Sequence, residues 1–308
     1  MLSTVDISPL YAPIVRVLGY YDLFEYPLRP EEIGLFLPAE NVPSRDLADA
    51  LAELAAEGRI GLEKGFYFLP HRDTSIVERR LRMEERGAHM WRIARRVASL
   101  MRFTPFVRGV FISGQLCRYI ADEKSDIDYF IVTAPRRLWI VRAFFVLIRR
   151  TLLFNSRKYF CTNYYITTDN LAIRERNPYV ACEVASLKPI YNRDLFDRFI
   201  EENAWIEEFY PNFAIERVEI RDGVEGGEGI RGLLERFFPG RLADRFDERL
   251  MRITRDFWRR KFPHLDPRAY DVSFRTRRDE SRAHPNDQAP KVLERYRASL
   301  RNYGISDE

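Results

Sequence analysis

Residues 107–133 read VRGVFISGQLCRYIADEKSDIDYFIVT, and the spacing of the aspartates at 126 and 128 decides how the chain is understood. Residues 107–112 alternate and are β-branched enough for a strand. They run into a turn at Ser113-Gly114-Gln115, after which residues 116–120 can open a helix and residues 121–124 form a polar loop. Residues 127–133 are the next strand. Side chains alternate along a strand, so Asp126 and Asp128 share a face with their carboxylates close together. Two like charges so near are costly unless a cation lies between them. A pair of Mg²⁺ ions would exploit them, one activating an attacking hydroxyl and the other holding a triphosphate and its leaving pyrophosphate. Gly114 lets the backbone approach a phosphate, and a helix N-terminus behind it would offer free N–H groups. The plainer account is a capped turn followed by a solvated acidic strand end.

Gly114 to Val132, with Ser125-Asp126-Ile127-Asp128 inside it, resembles the signature of the DNA polymerase β-like nucleotidyltransferase superfamily. That signature is Gly-Ser, a spacer, then Asp-x-Asp before an apolar strand. The whole chain also resembles bacterial nucleotidyltransferase-domain proteins with a winged-helix-like segment in front. The resemblance implies an α+β fold with a small mixed sheet and flanking helices. It implies that Asp126 and Asp128 are catalytic and hold Mg²⁺ or Mn²⁺, and that a nucleoside triphosphate is the substrate. Ser113, Gly114 and Gln115, with Lys124 and Ser125, would surround its phosphates.

The chain departs from that pattern at three positions. The family's serine after the glycine is Gln115 here, and a second family glycine is Tyr119, whose ring would crowd the phosphate site. The third family acid, on a later strand, corresponds to Asn163 in the strand predicted over 159–166, which would ligate metal through its carbonyl. Asp169, Glu175 and Glu183 are the nearby acids. Glu183 stands in an apolar helical stretch, 178–187, and reads either as part of the site or as the partner of an arginine. Arg118 borders the phosphate site or is simply solvated, as is Lys124. Tyr164 and Tyr165 stack on a base or pack the sheet, packing being the simpler reading.

Ahead of this unit, residues 1–72 read as a winged-helix-like domain. Helices are predicted over 14–21, over 31–36 after Pro30, and over 45–57 with Ser44 as N-cap and Gly58 closing it. Residues 59–62 and 65–69 read as two strands around Glu63-Lys64. The third helix would be the one to enter DNA. It carries Asp46, Asp49, Glu53 and Glu57 against Arg45 alone, so an internal or protein-contact module is the better reading. Residues 73–103 form a connecting helix with Trp91, Ala94, Ala98 and Met101 along one side. Its arginines, Arg80 among them, make a solvated basic face, or some of them face a triphosphate or nucleic acid.

The nucleotidyltransferase-like domain spans 104–190. A C-terminal helical region comes next over 191–262, in which residues 219–232 form a glycine-rich loop and Leu242, Phe246, Leu250, Ile253 and Phe257 mark an amphipathic helix. Residues 263–308 read as a basic extended tail ending in a short helix over 291–301. From Arg252 to Arg301 there are 14 Lys or Arg against 7 Asp or Glu, so this end is where nucleic acid would bind if it binds at all.

With 46% apolar residues the chain can build a sizeable core. Cys117, Cys161 and Cys182 have no metal-site spacing, nor do His71, His89, His264 and His284. Reduced thiols and the lack of a signal peptide over residues 1–9 lead to an expected cytoplasmic location. The apolar stretch 138–154 is broken by Arg142, Arg149 and Arg150, so no membrane span and no membrane partner are expected. The expected activity is metal-dependent transfer of a nucleoside monophosphate to an unknown acceptor hydroxyl, with release of pyrophosphate. The alternative is a non-catalytic nucleotide- or partner-binding regulatory module.

Overall fold

The structure, a computed structural model, describes residues 9–213, 223–238, 240–283 and 288–306. Residues 1–8, residues 219–222 of the predicted loop, His284 and Asp287 lie outside the described residues.

Three helices open the chain: α1 (Tyr11–Asp22), α2 (Pro30–Phe36) and α3 (Ser44–Ala56). Pro30 occupies the first turn of α2, where its missing N–H costs nothing, and Glu32 accepts the Arg29 N–H at 2.8 Å. Ser44 is not the cap expected of it. It lies inside α3, behind Pro43, and no side chain caps this end. Asp46, Asp49 and Glu53 of α3 face solvent. Strands β1 (Gly61–Glu63) and β2 (Phe66–Phe68) pair antiparallel around Lys64-Gly65, one residue later than predicted. Both turn residues have positive φ, 50° and 78°, the handedness that suits strand twist in a two-residue hairpin.

Helix α4 (Ser75–Met101) buries Trp91, Ala94, Ala98 and Met101 as its pattern predicts. The solvated basic face needs one correction. Arg80 is only 3% exposed, because Glu32 and Glu84 accept its N–H groups at 2.8 and 2.9 Å and the Pro27 carbonyl accepts another at 2.9 Å. Its guanidinium also lies 3.9 Å from the Tyr26 ring centre.

The central elements are β3 (Val107–Ser113), β4 (Asp128–Thr133), α5 (Leu138–Thr151), β5 (Cys161–Thr167), α6 (Pro178–Ser186), β6 (Lys188–Tyr191) and α7 (Arg193–Glu201). After them come α8 (Glu228–Glu235), α9 (Gly240–Lys261), α10 (Pro267–Ser273), β7 (Glu280–Arg282) and α11 (Ala289–Asn302). The result is a mixed α+β protein with a five-stranded mixed sheet in the order β6-β3-β4-β5-β7. Strand β4 is antiparallel to β3 and parallel to β5, with α5 as the crossover. Alternation along the strands divides the core in two. Phe111, Phe130, Val132 and Ile166 join α1–α3, α6, α7 and α11 on one side. Val110, Ile112, Tyr129, Ile131 and Tyr165 join α4 and α5 on the other.

The last hundred residues differ most from expectation. Helix α8 begins inside the predicted loop. The supposed extended tail contains α10, capped by Asp266, and β7, which completes the edge of the sheet beside β5. Part of the tail's basic charge is paired: Arg277 lies 2.6 Å from Asp271 and Arg278 3.4 Å from Glu248. Arg275 is 3% exposed and is bound by Glu175 and Glu280. Helix α11 returns to α1, where Leu300 packs 3.5 Å from the position a Cβ would take on Gly19.

Replacing Arg80 leaves Glu32 and Glu84 facing each other beside a buried ring. Arg80→Ala is expected to destabilise the fold by about 3 kcal/mol, read as a lower urea midpoint. An unchanged midpoint would show the network to be dispensable.

Candidate functional site

The register of β3 on β4 sets Ser113 opposite Asp128, so the Gly114 turn and Asp128 end up side by side. Gly114 has φ +65°, and a Cβ there would lie 2.5 Å from Asp128 Oδ2. Both the backbone conformation and the contact therefore require glycine. The chain continues as a short 3-10 turn, Gly114–Arg118, and not as the α-helix whose N-terminus was expected to hold phosphate. Tyr119 ends it with φ +57°, a conformation that favours glycine. Its ring does not crowd the site as expected. It is buried edge-on against Trp91, with centroids 4.9 Å apart. Helix α4 holds this turn closely. A Cβ on Gly87 would sit 1.9 Å from the Tyr119 carbonyl oxygen, and Ala121 N–H donates to the Met83 carbonyl at 2.9 Å.

The next loop is tied to itself. Ser125 Oγ accepts the Asp122 N–H at 2.7 Å and lies 2.6 Å from Gln115 Oε1 and 2.8 Å from Asp122 Oδ1. Lys124 N–H donates to the same carboxylate at 2.8 Å. Burial works to raise the Asp122 carboxyl, but these hydrogen bonds outweigh it and hold the group below its ordinary value. Gln115 and Ser125 thus bind each other, while the Lys124 side chain is exposed. Ser113 Oγ donates to the Asp128 carbonyl at 3.4 Å.

Strand β4 starts at Asp128, so Asp126 belongs to the loop rather than the strand. Ile127 between them is nevertheless held like a strand residue. Its N–H donates to the Lys158 carbonyl at 2.9 Å, its carbonyl accepts the Cys161 N–H at 3.1 Å, and its side chain is fully buried. Asp128 has its ordinary carboxyl pKa pushed up to about 6. Burial is the main cause, and repulsion from Asp126 and Glu183 adds to it. Hydrogen bonds from the Cys161 thiol and Asn163 oppose it. Asn163 Nδ2 lies 3.1 Å from Asp128 Oδ1 and 2.9 Å from Cys161 Sγ. Asn163 therefore reaches Asp128, presenting its amide nitrogen to the carboxylate.

Glu183 reaches the same space from α6, a helix capped by Asn177. Ser113, Gly114, Asp128, Asn163, Glu183 and Arg282 line one cavity of about 190 Å³, with Phe130, Tyr164 and Tyr179 as its aromatic walls. Burial raises the Glu183 carboxyl, while Arg118 and Arg282 pull it back. Arg118, the last residue of the turn, is held inside the fold rather than solvated. Its Nη2 lies 3.6 Å from Glu183 Oε1 and 3.4 Å from Ser186 Oγ, and its guanidinium is 5.4 Å from the Tyr21 ring. Glu175 also lines the cavity but is bound by Arg275, and Asp169 is exposed beyond β5. Tyr165 packs the sheet, fully buried. Tyr164 stacks on Phe130 at 4.9 Å with its hydroxyl 2.6 Å from Glu280 Oε1. Among the described residues, no three His, Cys, Asp or Glu side chains form a group that could hold a metal ion.

Sequence reasoning missed Cys161, Arg282 and Gly87. A glycine in the middle of a 27-residue helix was the available signal for the last, since it weakens the helix unless a close contact requires it.

Two outcomes are expected. Gly87→Ala drives a methyl group into the Tyr119 carbonyl and should cost about 1–3 kcal/mol, measured by urea unfolding. Asp128 releases its proton near pH 6 when folded and near its ordinary, lower value when unfolded. The folded chain therefore binds more protons in that window, and this group's contribution to stability falls as pH rises through it. Asp128→Asn should stabilise the fold at pH 7.5 by on the order of 2 kcal/mol, with the gain vanishing towards pH 4. A gain independent of pH would contradict this account of Asp128. Against known proteins, no family model, no curated protein and no solved structure matches this chain.

Proposed function

We propose that this chain is a metal-dependent nucleotidyltransferase, moving a nucleoside monophosphate from a triphosphate to an acceptor hydroxyl. The observation that carries this reading is the abutment of Gly114 on the Asp128 carboxylate, which sets the turn that the resemblance assigns to phosphate against one acid of the pair. The strand order supports it. The strand bearing the turn is antiparallel to the strand headed by Asp128, and the strand bearing Asn163 runs parallel on its other side. The resemblance implies a small mixed sheet with flanking helices, and this pairing is mixed.

The residues suit a hard divalent cation. Mg²⁺ is commonly held by one or two carboxylates together with substrate phosphates, and Asp126 and Asp128 provide two. The Asp128 carboxyl is raised chiefly by burial and further by the charges of Asp126 and Glu183, which a bound cation would offset. A bound Mg²⁺ or Mn²⁺ would neutralise phosphate charge and lower the pKa of the acceptor hydroxyl. The chain's own contributions are positional. Gly114 leaves room beside Asp128, Ser113 lines the cavity with its hydroxyl, and Asn163 braces the Asp128 carboxylate. Phe130, Tyr164 and Tyr179 offer apolar walls for a base or an acceptor.

The N-terminal helices and the β1–β2 hairpin support a winged-helix-like module. The exposed acids of α3 favour a protein contact for it over DNA. One observation favours a second reading, a nucleotide-binding module without catalysis. The third-acid position holds an amide, and the nearest spare carboxylate, Glu183, already has Arg118 beside it.

Incubation with Mg²⁺ or Mn²⁺ and each nucleoside triphosphate, across several hydroxyl acceptors, should release pyrophosphate. Asp126→Ala and Asp128→Ala should each reduce release about a thousandfold while leaving the circular dichroism spectrum intact. Nucleotide binding without pyrophosphate would establish the second reading. In the absence of nucleotide, Mn²⁺ affinity should fall as pH drops through about 6, since the proton competes for Asp128.

A further inference from the structure

The C-terminal end of α5 and the loop after it carry apolar side chains that nothing in the fold covers. Leu147 is 58% exposed, Leu152 69% and Phe154 91%. Phe154 and Asn155 both have positive φ, 47° and 63°. A bulky residue rarely adopts that conformation, and here it belongs to a ring held in solvent. The surrounding charge is of one sign. From Tyr129 to Thr168 the chain has seven Arg or Lys and no Asp or Glu. Four of them, Arg149, Arg150, Arg157 and Lys158, flank the exposed tip in sequence, and none has a carboxylate partner among the described residues. Burial and the neighbouring Arg157 both push the Arg149 guanidinium below its ordinary value.

Helix α9 also exposes apolar side chains, with four acids, Asp244, Asp247, Glu248 and Asp256, among its basic residues. The Ile140 N–H donates to Asp247 at 2.9 Å and Arg137 pairs with Asp244, so α9 packs on the N-terminal end of α5. It exposes Phe246, Ile253 and Phe257 by 41–53% and ends in Arg259, Arg260 and Lys261. Exposed Phe and Leu beside unpaired arginines are the composition of a surface that lies in a lipid interface. The apolar groups enter the acyl boundary and the cations meet lipid phosphates.

We propose that the α5 tip docks on the surface of an anionic lipid bilayer. Among the described residues no helix is long and apolar enough to cross a membrane, and docking on the surface requires none. The expectation of no membrane partner was drawn from the lack of a span, and it does not extend to the interface. The tip is tied to the candidate site. The Lys158 carbonyl accepts the N–H of Ile127, the residue between the two aspartates.

Flotation of the full chain with vesicles tests this without nucleotide, so its outcome is independent of the transfer reaction. The chain should float with phosphatidylcholine vesicles that contain phosphatidylglycerol, should not float with phosphatidylcholine alone, and should be released by high salt. Leu152→Gln with Phe154→Gln should weaken binding by about tenfold or more. Arg150→Glu with Arg157→Glu should do the same. All four positions are at the surface, so the fold should tolerate these changes. Leu62→Gln, an equally simple loss of an exposed apolar group on the N-terminal hairpin, should leave binding unchanged. Three results would overturn the proposal: no flotation, equal flotation with neutral vesicles, or flotation unaffected by the tip substitutions. A dimer in lipid-free solution that the Leu152/Phe154 variant abolishes, without vesicle binding, would overturn it too and assign the surface to a second copy of the chain.

Discussion

Much of this molecule depends on the antiparallel register that places Ser113 opposite Asp128. Shifted by one residue, every strand side chain would exchange faces, and Phe111 and Phe130 would leave their core while Val110 and Ile131 entered it. The register also brings Gly114 within contact of the Asp128 carboxylate, where no other residue fits. Fold and candidate site therefore impose the same requirement at the same turn. Helix α4 adds a second close approach behind it, at Gly87 and Tyr119, so the turn is held between a strand and a helix backbone.

The electrostatics around this turn are unbalanced in a definite direction. Two buried arginines elsewhere are answered by carboxylates, Arg80 by Glu32 and Glu84 and Arg275 by Glu175 and Glu280. At the cavity, burial dominates and the nearby charges of Asp126 and Glu183 make Asp128 harder to ionise. The hydrogen bonds from Cys161 and Asn163 reduce that penalty without removing it. Stability resides in the paired networks and the two cores, and the cavity carries a local deficit that an added cation would relieve.

How much the sequence disclosed depends on the range of the forces involved. The strands, the turn and the crossover helix were legible because each rests on alternation, a glycine or an amphipathic stripe within a few residues. The resemblance drew attention to Asn163, and the structure sets it against Asp128. The fate of Arg80, Arg118 and Arg275 was not legible. An arginine's partner is chosen by folding, and Glu175 lies 100 residues from Arg275. The tail was misread for the same reason, since its basic composition hid the fact that β7 completes a sheet edge. Tyr119 was misjudged because residue size was considered without its backbone conformation, which turns the ring into the core.

The return of α11 to α1 has a consequence in time. Tyr296 donates its hydroxyl hydrogen to the Arg16 carbonyl across 280 residues of sequence. At a synthesis rate of roughly 10 residues per second, α1 leaves the ribosome about half a minute before the helix that covers it. During that interval the tyrosines of α1, Tyr20 among them, lack the ring of Tyr296 that later packs edge-on at 5.6 Å. The N-terminal helices must therefore wait with part of their core open, and this half of the protein reaches its final packing only when nearly all of the described chain has been made.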